Sequence, residues 1–343
     1  AVRAVYMYCA MADLAEAYGD ESLMRACVTL WKNMVEKRMY VTGGIGSSGI
    51  LERFTTDYDL PNEYNYSESC ASIGLALFGL RMSQITRDAG YIDTVERALY
   101  NTVLAGIALD GKSFFYVNPL EVWPSACMDR TSKEHVKPVR QKWFGVACCP
   151  PNIARTLASL GQYLYSASED ALWVNLFVSS EVETQVGTQN VRLTQKTEFP
   201  KDGHIRFGVS CEEPGIELAV RIPEYARDCK FDQEPERMEK GYAYFTVSDK
   251  DWELDMRFEM PVRVLHANPQ VRADSGKAAL QRGPLVYCLE EIDNGPNLPA
   301  LYLKEGGEIR EQFDPQLFGG TTVLTAQGMR ISEKDWKEGE LYR

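Results

Sequence analysis

Cys148 and Cys149 stand side by side in Ala147-Cys148-Cys149-Pro150-Pro151-Asn152, and Glu68-Ser69-Cys70 lies upstream, with Cys70 78 positions before Cys148. Three thiols and one carboxylate make a donor set that suits zinc, which favours tetrahedral thiolate coordination and accepts a carboxylate oxygen. A metal-held thiol stays deprotonated at neutral pH and is then a nucleophile. The spacing is not the paired Cys-x-x-Cys arrangement. The alternative is therefore three buried thiols without chemical consequence, since free cysteine is among the most buried residue types.

A second group is acidic: Glu52, Asp57, Asp59, Glu63 and Glu68. Glycoside hydrolysis needs a proton donor on one side of the scissile bond and, in retaining enzymes, a nucleophile about 5 Å away on the other. Glu52 on a loop is a candidate donor; the competing reading is a solvated acidic loop in an acidic chain. Gly44-x-Gly46-x-x-Gly49 matches a dinucleotide-binding string, yet it lies between helical segments where a strand should precede it. A flexible loop that carries Glu52 to a pocket fits the context better. Phe114, Phe115, Tyr116, Trp143 and Phe144 suit either a sugar-stacking platform or core packing; Tyr116, whose hydroxyl needs a partner if buried, is the better site candidate.

Several elements must position these groups. Apolar residues at helical spacing predict helices over residues 1–19 and 21–38, the second capped by Asp20 or Ser22. Further helices are expected over 65–86, 89–108, and from the Pro150-Pro151 pair to about Ala167, proline being tolerated in a first turn. Near residue 170 the period changes from 3.6 to 2. Strands are expected at Leu172–Val178, Val191–Phe199, Ile205–Cys211, Ile216–Ile222, Tyr242–Val247, Leu254–Met260 and Ala278–Leu289, the rhythm of a β-sandwich. Phe114–Tyr116 suggests one more short strand.

The chain has 343 residues, enough for two or three domains, with 45% hydrophobic and 25% charged residues. Its net charge of −12 argues against nucleic acid and for a neutral or weakly polar partner. No apolar run approaches the roughly 20 residues of a membrane span. There are three histidines, so metal or acid–base chemistry rests on Cys, Glu and Asp. Nine scattered cysteines read as reduced thiols, which makes a cytoplasmic location the expectation. A start at Ala1 inside a helical pattern reads as a piece of something longer.

Taken in order, Thr42-Gly43-Gly44-Ile45-Gly46-Ser47, Glu52-Arg53-Phe54, Asp57-Tyr58-Asp59-Leu60-Pro61-Asn62, Glu68-Ser69-Cys70-Ala71-Ser72 and Cys148-Cys149-Pro150-Pro151-Asn152 resemble glycoside hydrolase family 127, the β-L-arabinofuranosidase family close to family 146. The resemblance covers essentially the whole chain. It implies a multidomain α plus β protein: the C-terminal part of an (α/α)6 barrel over 1–168, a β-sandwich over 169–268 and a second, incomplete one over 269–343. It implies a retaining exo-hydrolase releasing terminal β-L-arabinofuranose, with Zn2+ held by Glu68, Cys70, Cys148 and Cys149. Cys148 is then the nucleophile, Glu52 the general acid/base and Tyr116 a sugar contact. The family usually has Thr at Ser69 and often Gly at Leu51. Glu68 remains a rival nucleophile. Other readings stay open: another furanoside or a branched pectic sugar as substrate, a carbohydrate-binding protein with a structural zinc, or an epimerase or lyase. The expected partner is a carbohydrate, without nucleic acid or membrane, and a homodimer is an open option.

Overall fold

The computed structural model describes residues 1–334, Trp336 and residues 340–342. Its first half is helical. α1 (Val2–Tyr18) buries Val5, Cys9, Ala12 and Ala15, a stripe at steps of four and three, and stops at Gly19 in the left-handed conformation. α2 (Glu21–Lys37) starts under a cap in which Asp20 Oδ1 accepts from the backbone N–H of Ser22 at 2.9 Å and Leu23 at 3.0 Å. Cys27, Trp31 and Met34 are its buried face. Both pack on α3 (Ser69–Thr86), which is apolar nearly all round and lies in the middle of the helical part. α4 (Ala89–Ala98) packs on α3 as well and touches α2, Tyr91 meeting Trp31 at 4.9 Å between ring centroids.

Three helix boundaries differ from the sequence expectation. Residues 65–68 are not helical, because Glu68 bridges Val117 and the Ser69 N–H donates to the Tyr116 carbonyl at 3.0 Å. The helix expected over 89–108 is α4 followed by a wider π-wound stretch, Leu99–Leu104. That widening turns Asn101 toward the strand region, where its amide donates to the Pro284 carbonyl at 2.8 Å and accepts from the Val286 N–H at 2.7 Å. The last helix, α5 (Cys149–Ala158), is shorter than expected. One further turn, Gly161–Leu164, leads directly into a strand. Phe114–Tyr116 forms only isolated bridges, Phe114 with Ile107 and Gln141.

The second half is strands. One five-stranded sheet joins β1 (Tyr165–Ala167), β2 (Ala171–Val174), β6 (Glu217–Arg221), β9 (Tyr242–Thr246) and β8 (Arg237–Glu239) in that order. The other joins β3 (Ser180–Val186), β4 (Gln189–Thr197), β5 (His204–Cys211), β10 (Asp251–Glu259) and β7 (Arg227–Phe231). The alternation is plainest in β10, where Trp252, Leu254, Met256 and Phe258 are buried and the residues between them face outward. In register, Leu254 opposes Phe207 and Val209 opposes Leu193. Apolar side chains of both sheets belong to one buried cluster. β3, β7 and β8 were not anticipated; β8 is wholly exposed, and the others carry few apolar residues, with only Val182 and Val186 of β3 and Cys229 and Phe231 of β7 turned inward. Three smaller sheets follow: β11 (Arg263–Leu265) with β12 (Ala279–Arg282) and β13 (Leu285–Val286), β14 (Leu301–Leu303) with β17 (Gly328–Arg330), and β15 (Ile309–Asp314) with β16 (Thr321–Ala326).

The halves are joined at α4. Its first residue, Ala89, packs with Trp173, Ala219, Tyr242 and Tyr244 on the outer face of the first sheet. Arg221 of β6, fully buried, donates to Asp93 Oδ1 at 2.6 Å and Glu96 Oε1 at 2.5 Å on α4, and to the Asn175 carbonyl at 2.6 Å. Among the described residues no helix is long and apolar enough to cross a membrane.

Candidate active site

Glu68 is the N-cap position of α3, and Cys70 lies in its first turn. Cys148 is the N-cap of α5 and Cys149 its first residue. Two helix N-termini therefore converge, and their partial positive charge favours anionic groups. The Glu68 side chain makes no capping bond, which leaves its carboxylate free for the sulfurs. Cys70 Sγ is 3.2 Å from Cys148 Sγ and 3.6 Å from Cys149 Sγ. Cys148 Sγ donates to Glu68 Oε1 at 3.2 Å, and Cys149 Sγ lies 3.8 Å from the same oxygen. One ligand atom from each of the four residues falls within 4.8 Å of all the others. The sequence expectation that these two distant segments meet is met.

The donor set fits a thiophilic cation. Oε2 of Glu68 is buried with no hydrogen-bond partner, a costly state unless something positive faces it. Burial raises the Glu68 carboxyl above its usual range, the bond from Cys148 opposes this, and the charge of Glu52 adds to it. Burial, then the contacts with Cys70 and Glu68, push the Cys148 thiol up to about 12. Cys149 is also raised, chiefly by its bond to Cys70, while Cys70 is lowered, first by the bond from Cys149. Three of the four are closed off: Glu68 is 2% exposed, Cys70 1% and Cys149 0%. Cys148 alone is part-exposed.

Tyr116 is held where the backbone meets α3. Its carbonyl accepts from Ser69 and faces Cys149 Sγ at 4.0 Å, and its hydroxyl pKa is raised by burial and the contact with Cys148. Asn118 Nδ2 donates to the Ser67 carbonyl at 2.9 Å and Ser69 Oγ at 3.1 Å, which ties the Tyr116 segment to the start of α3. Phe144 packs on Tyr116 at 5.3 Å and Phe114 at 5.1 Å between ring centroids, whereas Trp143 faces solvent.

Glu52 is not part of the four-residue cluster. It is exposed, on a one-turn helix, Ile50–Glu52, and its Oε1 accepts from the Tyr66 hydroxyl at 3.0 Å. Tyr66 meets Tyr116 edge-on at 6.2 Å, so the chain of contacts from Glu52 leads to the cluster. Leu51 and Glu52 both have positive φ, 58° and 51°; left-handed backbone at two side-chain-bearing residues costs about 1–3 kcal/mol each and persists only where the surroundings enforce it.

Two others of the acidic group do other work. Asp57 binds α2, accepting from Asn33, Lys37 and Arg38. Glu63 pairs with Lys133. The glycine-rich loop is packed, not loose: residues 43–47 are buried. A Cβ on Gly43, whose φ is +80°, would fall 2.6 Å from the Ala98 backbone. Sequence reasoning missed Tyr66, two residues before Glu68 in a stretch without periodicity. It also set histidine aside for its scarcity, yet His135 packs on Tyr66 at 5.5 Å between ring centroids. Asn152, though in the Cys148 motif, was given no role; it hydrogen-bonds with Tyr6 and accepts from Arg155.

Comparison with known proteins bears on the site. A family model described as β-L-arabinofuranosidase, GH127 catalytic domain, matches residues 1–162. The GH127 middle domain matches 171–261 and the glycoside hydrolase family 127 C-terminal domain 262–325. A non-reducing end β-L-arabinofuranosidase of Bifidobacterium longum subsp. longum is 36% identical, covering 100% of this chain and 54% of that protein. The crystal structure of a GH127 β-L-arabinofuranosidase from Geobacillus stearothermophilus T6 is similar with a TM-score of 0.94 and 50% identity, over 100% of this chain and 55% of that one. A second solved structure, a GH127 β-arabinofuranosidase, gives a TM-score of 0.87 at 34% identity, over 96% and 54% of the two chains. The chain thus spans about half the length of the curated relative it matches.

Proposed function

The chain belongs to glycoside hydrolase family 127, and from that premise we propose that it carries the reactive centre of a retaining exo-hydrolase that removes terminal β-L-arabinofuranose. The observation that carries this reading is the convergence of Glu68, Cys70, Cys148 and Cys149, with Glu52 tethered beside them through Tyr66. We read the helical part as the C-terminal portion of an (α/α)6 barrel and the two five-stranded sheets, which share a buried cluster, as a β-sandwich. The domain limits proposed are 1–168, 169–268 and 269–343.

Glu68, Cys70, Cys148 and Cys149 would hold a zinc ion. When bound, that ion supplies the positive charge that keeps the thiols ionised at neutral pH and satisfies the orphaned Glu68 oxygen. Cys148 is the nucleophile because it alone of the four is reachable; the burial of Glu68 speaks against the rival assignment. The Cys148 sulfur attacks the anomeric carbon while Glu52 gives its proton to the departing glycosidic oxygen. A C–S bond forms and the C–O bond breaks. Glu52, now a carboxylate, takes a proton from water; the water oxygen attacks the same carbon, the C–S bond breaks, and two inversions leave the configuration retained. Tyr116 lies beside the sulfurs as a sugar contact.

Proton NMR of the first-formed product from an aryl β-L-arabinofuranoside tests the reading. The β-anomer should appear first, and Cys148→Ser should lose nearly all turnover. First formation of the α-anomer, or full activity in Cys148→Ser, removes the sulfur mechanism.

A further inference from the structure

We propose that Tyr66 is the positioning residue for Glu52, and that His135 sets the position of Tyr66 and of the Glu52 turn together; this rests on the acid/base reading of Glu52 given above. The Tyr66 hydroxyl donates to Glu52 Oε1 at 3.0 Å, and no other side chain among the described residues is seen to bond that carboxylate. The turn that carries Glu52 is in a conformation that side-chain-bearing residues avoid, with φ of 58° at Leu51 and 51° at Glu52. Left to itself such a turn relaxes and takes the carboxyl group with it. Backbone bonds between Ser48 and Arg53, 3.2 Å each way, close the turn at its base, and the Ala1 ammonium donates to the Glu52 carbonyl; the carboxyl group itself needs a hold of its own.

His135 is placed to support that hold at both ends. Its Nε2 lies 3.1 Å from the Tyr64 carbonyl and 3.3 Å from the Asn65 carbonyl, two acceptors that call for a proton on that nitrogen. The imidazole is thereby pinned to the backbone just before Tyr66, and the two rings lie 5.5 Å apart. The Cε1–Nδ1 side of the same ring lies against Gly49, the residue that opens the Glu52 turn: a Cβ there would sit 2.8 Å from both atoms. One imidazole therefore touches the ring that grips the carboxyl group and the backbone that delivers it. Tyr66 is itself fixed from the other side, its N–H donating to the Gly46 carbonyl at 3.1 Å and its ring meeting Tyr116. The chain Gly49–His135–Tyr66–Glu52 is a frame that aims one carboxyl group toward the Tyr116 side of the cysteine cluster.

A misaimed proton donor harms poor leaving groups far more than good ones, because a nitrophenolate departs without help. The full, zinc-loaded chain is assayed on an alkyl and a nitrophenyl β-L-arabinofuranoside, with kcat/KM measured on each and bound zinc determined for every variant. Glu52→Gln should lower kcat/KM on the alkyl substrate by about a hundredfold or more relative to the nitrophenyl one. Tyr66→Phe should shift the same ratio by about tenfold, the effect of one lost hydrogen bond at the reacting group, with zinc content unchanged. His135→Ala and Gly49→Ala, the latter displacing the imidazole without touching Tyr66, should shift it in the same direction and carry the test should Tyr66→Phe fail to fold. If Glu52→Gln leaves the ratio where it was, the acid/base reading itself fails. If Glu52→Gln shifts the ratio while Tyr66→Phe, or in its place His135→Ala and Gly49→Ala, depresses both substrates equally or neither, the positioning role is overturned.

Discussion

The sulfurs of Cys70 and Cys148 lie 3.2 Å apart although 78 residues separate them, and each enters from the N-terminus of a different helix. That relationship decides how the site behaves. With Glu68 and Cys149 in reach of the same point, the four groups crowd up to four negative charges into a buried volume, a state the protein's own atoms oppose and a cation relieves.

Cys70→Ser should therefore release the metal. Loss of a primary ligand should weaken binding by more than the roughly 10–100-fold typical of losing a hydrogen-bond partner behind a ligand. Zinc content after equilibration with a chelator measures it, beside a circular dichroism spectrum to show that the helices persist. Undiminished zinc in Cys70→Ser would mean that this sulfur is not a ligand.

Asp57 gives a prediction about acid stability. Its carboxyl, ordinarily near 3.8, is held at about 2 by hydrogen bonds from Asn33 and Arg38, then Lys37. A folded value below the unfolded one means that the contribution is present above pH 3.8 and disappears as the pH falls through about 2. Thermal melting against pH should show Asp57→Asn less stable than the parent at neutral pH and converging with it between about pH 4 and 2. A constant gap over that range contradicts the assignment.

Arg221 concerns the joint between the halves. It is fully buried and bonds Asp93 and Glu96 of α4; Tyr225 donates to the other Glu96 oxygen at 2.8 Å. Arg221→Met leaves two carboxylates without their partner, which typically costs about 3–5 kcal/mol. Denaturant unfolding measures it, and a loss under about 1 kcal/mol would show that the joint is held elsewhere.

Much of this was legible in the sequence, for physical reasons. Helical spacing marks α1 and α2 because each buries one stripe, and period-2 alternation marks β4, β5 and β10 because each buries one face. In β3 and β7 the signal is thin, two apolar inner residues each, and in β8 it is missing. The N-terminal limit of α3 was misplaced because the residues before it are fixed by pairing with Val117, a contact invisible along the chain. Residue types and motif order brought Glu68 and the three cysteines forward. Nothing local could reveal that His135 packs on Tyr66, or that the Tyr66 hydroxyl reaches Glu52, since both depend on how loops close over α3.

Zinc-edge X-ray absorption on the metal-loaded protein tests the central claim most directly. The account predicts one zinc per chain with three sulfur neighbours at about 2.3 Å and one oxygen at about 2.0–2.2 Å. A first shell of nitrogen and oxygen alone, or one with fewer than three sulfurs, would contradict it.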